Sequence, residues 1–354
     1  MRISFRPYGY TKEDMISAVE AMSHPFAFSG LKRRELEEKL CHLTGRAYAI
    51  ATRDPVMPLL HLLKFLGFKE GDSFLISPLS YRPHLSPYLQ LTGLKPLYVD
   101  VERWFFNIDM SRMKGLVEDV KLLVINNSLG IPADWDRLYE LLEGKDVFIL
   151  EDSRETLFTR YKGRRVGSFG NVSLIEFQES SILRGYGGAI LTDDPNLYRV
   201  IKDWAEPMED LMCGIVLSQT KELEERKKLR DNLVKVYQNL LKGIEGLKAQ
   251  FTPEYVKDMH WNYFCVHLGK RYKEEAMEII RGLMLDDGIE VMLYPKPQDL
   301  KEGNSLSYLH IAHEIGTRAL LLPMHEDLEE EDIYLVCERL KEHVLQVGAG
   351  SRDH

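Results

Sequence analysis

The sequence predicts an α/β fold built on a mostly parallel sheet, followed by a smaller C-terminal α+β domain. Two observations carry this. Between residues 47 and 191, short apolar runs alternate with segments whose apolar residues recur at helical spacing. Strands that alternate with helices in this way pair in parallel and are covered on both faces. After residue 217 the pattern changes to a long, charge-rich helix and a second, shorter alternation.

Residues 35–43 read as the end of an amphipathic helix, with Leu36, Leu40 and Leu43 at helical spacing, and residues 47–51 as a short buried strand. Helices over 56–66 and 83–91 and strands over 73–76 and 96–101 continue the alternation. Further apolar strands are expected over 120–125, 147–150, 172–177 and 189–191. The long helix is expected over 217–247, with a Lys/Arg/Glu-rich outer face. It is followed by a strand over 260–268, a helix over 273–286, a strand over 289–293 and a final helix over 329–347. The expected division is a large domain over residues 1–225, a small one over 226–347 and a polar, glycine-containing tail over 348–354 that frays.

A chain of 354 residues with 44% hydrophobic content supports two cores. The formal charge of −9, without a clustered basic patch, argues against a nucleic-acid or anionic-membrane partner. The opening Met1-Arg-Ile-Ser-Phe-Arg-Pro7 has no apolar run of a signal peptide, and no stretch approaches the roughly 18 apolar residues of a membrane helix. A cytoplasmic protein is expected. Cys41, Cys213, Cys265 and Cys337 are widely separated and read as free buried thiols. His310 and His313 share a helical face without a carboxylate cluster, so no metal site is expected.

Five blocks in order resemble the DegT/StrS-type sugar aminotransferases, pyridoxal-phosphate (PLP) enzymes of fold type I that usually act on nucleotide-linked keto sugars. They are Leu66-Gly-Phe-Lys-Glu-Gly-Asp72; Gly93-Leu-Lys-Pro-Leu-Tyr-Val-Asp100 with Asn107-Ile-Asp109; Gly130-Ile-Pro-Ala-Asp134; Leu150-Glu-Asp152 with Tyr161-Lys-Gly-Arg-Arg-Val-Gly-Ser-Phe-Gly170; and Leu321-Leu-Leu-Pro-Met-His325 with Leu328 and Ile333. The resemblance runs along nearly the whole chain and implies a fold type I PLP-transferase-like large domain and a homodimer.

The same resemblance shows what is missing. In the family the imine-forming lysine lies five residues before the first glycine of a Gly-x-Gly-Gly turn. Counting back from Gly185 gives Ser180, whose hydroxyl cannot form an imine. The family's Ser-Gly-Thr phosphate cradle falls on Asp54-Pro55-Val56, where a carboxylate at a helix start caps the helix with its own anion. The serine that contacts the phosphate falls on Ile175, and the loop that reaches across the dimer has no counterpart between Asp194 and Gln219. Asp152 keeps the place of the aspartate that holds the pyridinium nitrogen. It is equally the first residue of a capping box, Asp152-Ser-Arg-Glu155. Glu155 falls on a ring-facing glutamine, and Tyr81 lies one position from the stacking aromatic, where Arg82 stands.

The resemblance therefore implies a degenerate member with no catalytic residue assigned and a vestigial pocket at Asp152, Tyr81 and Glu155, altered at Asp54, Ile175 and Ser180. PLP is not expected. PLP or its amine form PMP would be held only noncovalently or through another lysine, of which Lys162 and Lys202 are the candidates weighed. Ser180 is read as a small polar residue filling vacated space, since no base accompanies it. Arg82, Arg154 and Arg184 offer charge to the pyrophosphate of a sugar nucleotide, and an active aminotransferase is a possible partner. The rival expectation is a transaminase or dehydratase with noncovalent PLP or PMP.

Overall fold

The structure, a computed structural model, describes residues 2–23, 29–303 and 306–350. Nine strands of the large domain are β1 Tyr48–Thr52, β2 Ser73–Ile76, β3 Lys95–Tyr98, β4 Leu122–Asn126, β5 Phe148–Asp152, β6 Arg160–Tyr161, β7 Arg164–Arg165, β8 Val172–Glu176 and β9 Gly188–Thr192. Seven of them form the central sheet in the order β1-β9-β8-β5-β4-β2-β3. Pairing is parallel from β3 through β8. Only β9 runs against its neighbours β8 and β1, because the connection over residues 177–187 holds no helix and is too short for a crossover, so it returns the chain antiparallel.

Apolar residues alternate across the sheet. Leu122, Val124, Leu150, Val172 and Leu174 meet the helices Met57–Phe65 and Pro195–Trp204 on one face. On the other, Ile175, Ala189 and Leu191 meet the helices Leu31–Thr44 and Asp210–Lys221, and Leu123, Ile125 and Ile149 meet Trp135–Leu141. This double cover is what the near-continuous apolar strands require.

The small domain adds β10 Leu247–Ala249, β11 Val256–Asp258, β12 Phe264–Leu268, β13 Met292–Leu293 and β14 Ala319–Leu322. Four of these make an antiparallel sheet in the order β10-β12-β14-β13, while β11 pairs with β6 of the large domain. The sheet packs on the helices Leu223–Leu241, Ala276–Asp286 and Glu330–Gly350. Ile3, at the chain start, joins this core by a bridge to Ile289.

Several expectations change. The single helix over 217–247 is two, Asp210–Lys221 and Leu223–Leu241, followed by a turn and β10. Cys213 and Val216 belong to the large-domain core, whereas Leu233, Val234, Tyr237 and Leu241 belong to the small-domain core. The chain is re-aimed at Glu222 because one straight helix cannot present a stripe to both. The strand over 260–268 begins only at Phe264, since His260 and Asn262 are engaged by the loops at Thr159, Glu155 and Ile182. The helix over 83–91 shortens to Ser86–Gln90; Pro83 and Pro87 resist an earlier start. In the tail, residues 348–350 continue the last helix, and 351–354 lie outside the described residues. No described helix is long and apolar enough to cross a membrane. All four cysteines are free; three are buried and Cys41 is half-buried.

Candidate functional site

The residues in question gather at the C-terminal ends of β2, β4, β5 and β8, where ligands of open parallel sheets sit. Asp152 ends β5 and Glu176 ends the neighbouring β8. Between them lies Arg154, fully buried. Its Nε donates to Asp152 Oδ1 and its Nη2 to Oδ2, both at 2.8 Å, and its Nη1 reaches Glu176 Oε1 at 3.4 Å. Arg82 donates from Nε and Nη2 to the other oxygen of Glu176, at 2.8 and 2.6 Å. Asn126 Nδ2 adds a bond of 3.2 Å to Asp152 Oδ2. Burial works against a charged Arg154, but Asp152, Glu176 and Glu155 outweigh it and raise its pKa above the ordinary value.

The capping-box expectation for Asp152 is corrected: residues 153–156 form a turn, not a helix. Asp152 Oδ1 instead takes the backbone N–H of Arg154 at 3.2 Å, which folds that arginine back onto it. Glu155 follows in the same turn. Its carboxylate is turned away from the site, accepting Ser80 Oγ at 2.9 Å, Tyr81 N at 2.6 Å and Leu129 N at 3.1 Å. It thus ties two loops together, and Leu129 is held in the left-handed region (φ 50°). Burial raises the pKa of Glu155, against the pull of the Leu129 amide.

Beside this chain of charges is an open hollow of about 260 Å³, lined by Tyr81, Arg82, Gln178, Ser180 and Tyr186, with Arg6 and Glu179 at its rim. Ser180 is buried beside Tyr263, whose hydroxyl donates to Gln178 Oε1 at 3.1 Å. Tyr81 stands edge-on to Tyr263 with ring centroids 4.6 Å apart. Glu179 is paired with Arg6 and accepts from Tyr186. Among the described residues no imidazole lines the hollow with Ser180: His84 is engaged elsewhere, its Nε2 on Ser77 O at 2.8 Å and its Nδ1 accepting Ser86 N at 3.1 Å. Burial lowers His84 to about 4, so it is neutral.

Ile175 lies in the apolar layer on the far face of β8 and offers no donor. Asp54 caps the helix Met57–Phe65: its Oδ1 accepts Val56 N at 2.7 Å and Met57 N at 3.3 Å. The first-turn amides a phosphate would use are therefore taken. Lys162 pairs with Asp136 on an exposed turn, and Lys202 bonds Tyr198 on its own helix. Neither lines the hollow.

The three arginines that the sequence offers to a pyrophosphate are each paired with carboxylates. Arg82 and Arg154 hold Glu176 and Asp152; Arg184 lies buried against Gly9 O and Glu326. At the site Arg6, Arg82 and Arg154 face Asp152, Glu176 and Glu179, three guanidinium groups against three carboxyls, so among the described residues no cation is left over for a dianion. Arg6 and Tyr263 are residues lining or flanking the hollow that the sequence did not single out, and Glu176, near Ser180 in sequence, is engaged by arginines instead. The available signal for Arg154 was its position two residues after a strand-terminal aspartate.

Glu326 of the small domain fastens the two domains together. Arg184, Arg226 and Arg230 surround it at 3.4, 3.1 and 2.8 Å. Burial pushes its carboxyl up, but Arg230, Arg184 and Arg226 pull it down to about 2. A folded value below the ordinary 4.5 means stability that is fully present above pH 4.5 and lost as the pH falls toward 2. Unfolding free energies from urea titrations over that interval are expected to fall more steeply for the wild type than for Glu326→Gln, by about 1.4 kcal/mol per pH unit at most. Parallel profiles would remove the assignment.

The model of the DegT/DnrJ/EryC1/StrS aminotransferase family matches residues 10–206 and 205–341. The chain is 24% identical over 331 residues to GDP-perosamine synthase of Escherichia coli O157:H7, covering 87% of this chain and 89% of that protein. It is 35% identical over 198 residues to GDP-4-keto-6-deoxy-D-mannose 3-dehydratase of Yersinia pseudotuberculosis, covering 53% and 50%. Among solved structures, Spr1654 of Streptococcus pneumoniae in its PMP form superposes with a TM-score of 0.91 at 19% identity, over the full length of both chains. Helicobacter pylori PseC, an aminotransferase of pseudoaminic acid biosynthesis, superposes with a TM-score of 0.86 at 18% identity, over 97% of this chain and 99% of that one.

Proposed function

We propose, from the fact that this chain belongs to the DegT/DnrJ/EryC1/StrS aminotransferase family, that it is a catalytically degenerate member serving sugar-nucleotide metabolism as a binding, scaffold or regulatory subunit. The link to sugar biosynthesis is supported by the relatives, a sugar-nucleotide synthase and a sugar-nucleotide dehydratase among them. The observation that carries the degeneracy is Ser180, buried in the wall of the hollow where the family has its imine-forming lysine. Asp54 on the helix N-terminus and Ile175 in the core support it. The residues present do not fit PLP: the ring-nitrogen aspartate is already ion-paired, the phosphate amides are capped, and no lysine lines the hollow.

The subunit is proposed to be a homodimer in the cytoplasm. Met15, Ile16, Val19 and Met22 are each about half exposed along the helix Lys12–Ser23, an apolar stripe suited to a second copy. Sedimentation is expected to give a dimer that Val19→Asp weakens; a wild-type monomer would sink this part.

A second reading, an enzyme that holds PLP or PMP noncovalently, is favoured by the 35% identity over 198 residues to a protein named as a sugar-nucleotide dehydratase rather than a transaminase. Absorbance spectra of the purified protein with and without PLP, before and after borohydride, separate the two. No cofactor band is expected. A band that dialyses away would support the enzyme, and one fixed by borohydride would mean that another lysine has taken the role.

A further inference from the structure

Loss of the lysine removes a covalent bond to PLP but leaves the seat of the ring untouched, so a pyridine ligand held noncovalently would still need only Asp152. Asp152 is not available. We infer that the guanidinium of Arg154 stands where a protonated pyridine ring would meet this carboxylate, as a built-in cation, and that Arg154 closes the site to pyridine ligands of any kind. The inference rests on the proposed function above and assigns the exclusion to one residue.

The local chain makes the substitution possible. Asp152 ends β5, and the turn stabilised by Arg154 N on Asp152 Oδ1 sends the arginine side chain back over the strand end. The planar fork then meets both carboxylate oxygens at 2.8 Å, the bidentate geometry that makes an arginine–carboxylate pair strong. Its third nitrogen is directed at Glu176, which Arg82 holds from the other side. Gln178 Nε2 fixes the Arg154 carbonyl at 2.9 Å, so the backbone is anchored too. Arg154 is 2% exposed and stays charged at any physiological pH. A ring entering from the hollow would have to expel it and leave a buried guanidinium without its carboxylate, the costly half of breaking a buried pair. Because the arginine is tethered two residues away, it meets the carboxylate as an intramolecular partner, an advantage that a dilute free ligand lacks.

The test uses pyridoxamine, which carries the ring but no phosphate, so that the altered cradle is not in play. Binding is read by saturation-transfer NMR on the full chain, and folding by thermal unfolding. The wild type is expected to give no transfer at millimolar pyridoxamine. Arg154→Ala is expected to give clear transfer, which disappears in the Arg154→Ala/Asp152→Asn double variant. Millimolar guanidinium chloride is expected to raise the melting temperature of Arg154→Ala above a sodium chloride control, by refilling the vacated position. A folded Arg154→Ala that gives no transfer overturns the inference and leaves the degenerate reading standing. A wild type that binds pyridoxamine, together with a cofactor band in PLP, overturns both. If Arg154→Ala does not fold, Asp152→Asn/Arg154→Gln decides: with both charges gone it is expected to melt within a few degrees of the wild type. Its failure to fold would mean that Arg154 does something other than neutralise Asp152.

Discussion

Ser180→Lys by itself is expected to leave the protein colourless in PLP, with a borohydride-fixed band appearing only when Arg154→Ala and Ser-Gly-Thr at residues 54 to 56 accompany it. A lysine at 180 supplies the amine, but the ring nitrogen would still find Asp152 paired with Arg154. The phosphate would also find the Val56 and Met57 amides taken by Asp54. A carboxylate about 4 Å from one phosphate charge costs roughly 4 kcal/mol at an effective dielectric of 20, about a thousandfold in affinity. Removing Asp54 and Pro55 returns two donors and takes away that repulsion. Removing Arg154 frees the ring-nitrogen carboxylate. The expected gain of the combined variant over Ser180→Lys is therefore several orders of magnitude in PLP affinity. Colour with Ser180→Lys alone would show the pocket merely decayed by one residue. A folded combined variant with no colour would show the cavity rebuilt beyond these positions.

The largest loss of stability is expected from Glu151→Gln. Glu151 is fully buried on β5 and points away from the site, into the turn that follows β7. Its Oε1 accepts Gly167 N at 2.7 Å and Asn127 Nδ2 and Ser153 Oγ at 3.1 Å; its Oε2 accepts Phe169 N at 2.8 Å, Gly170 N at 3.2 Å and Ser173 Oγ at 2.5 Å. Arg46 lies 3.8 Å away. A glutamine amide donates where an oxygen accepted, so at least one backbone N–H of the Gly167–Gly170 turn is left facing a donor. The remaining bonds lose their charge assistance. With bonds to charged groups worth about 1.5–3 kcal/mol each, the loss should be about 4 kcal/mol, a large share of a typical total of 5–15. Urea unfolding of Glu151→Gln beside the wild type measures it. A difference under about 1 kcal/mol would mean that the turn does not depend on this carboxylate.

The alternation of strands and helices, the mostly parallel sheet it implies and the five sequence blocks were legible in the sequence. Each is a local pattern: apolar spacing reports which face of an element is covered. The losses at Ser180, Ile175 and Asp54 were legible for the same reason, since each is an identity at a countable distance from a recognisable turn. Antiparallel β9 was missed because a buried strand has the same apolar content in either direction.

The break at Glu222 was not legible either, because the helical stripe continues through it and only the positions of the two cores require the chain to turn. Asp152 and Glu155 illustrate the same limit at the site. Their spacing suited a helix cap, but which donor a carboxylate meets depends on segments far away in the chain, here the Tyr81 and Leu129 amides. What the sequence alone determined is the scaffold and the absence of an amine at position 180. What only the tertiary structure decided is that Arg154 closes on Asp152, because the parallel pairing of β5 with β8 brings Glu176 to its other side and fixes an ion chain that no local pattern encodes.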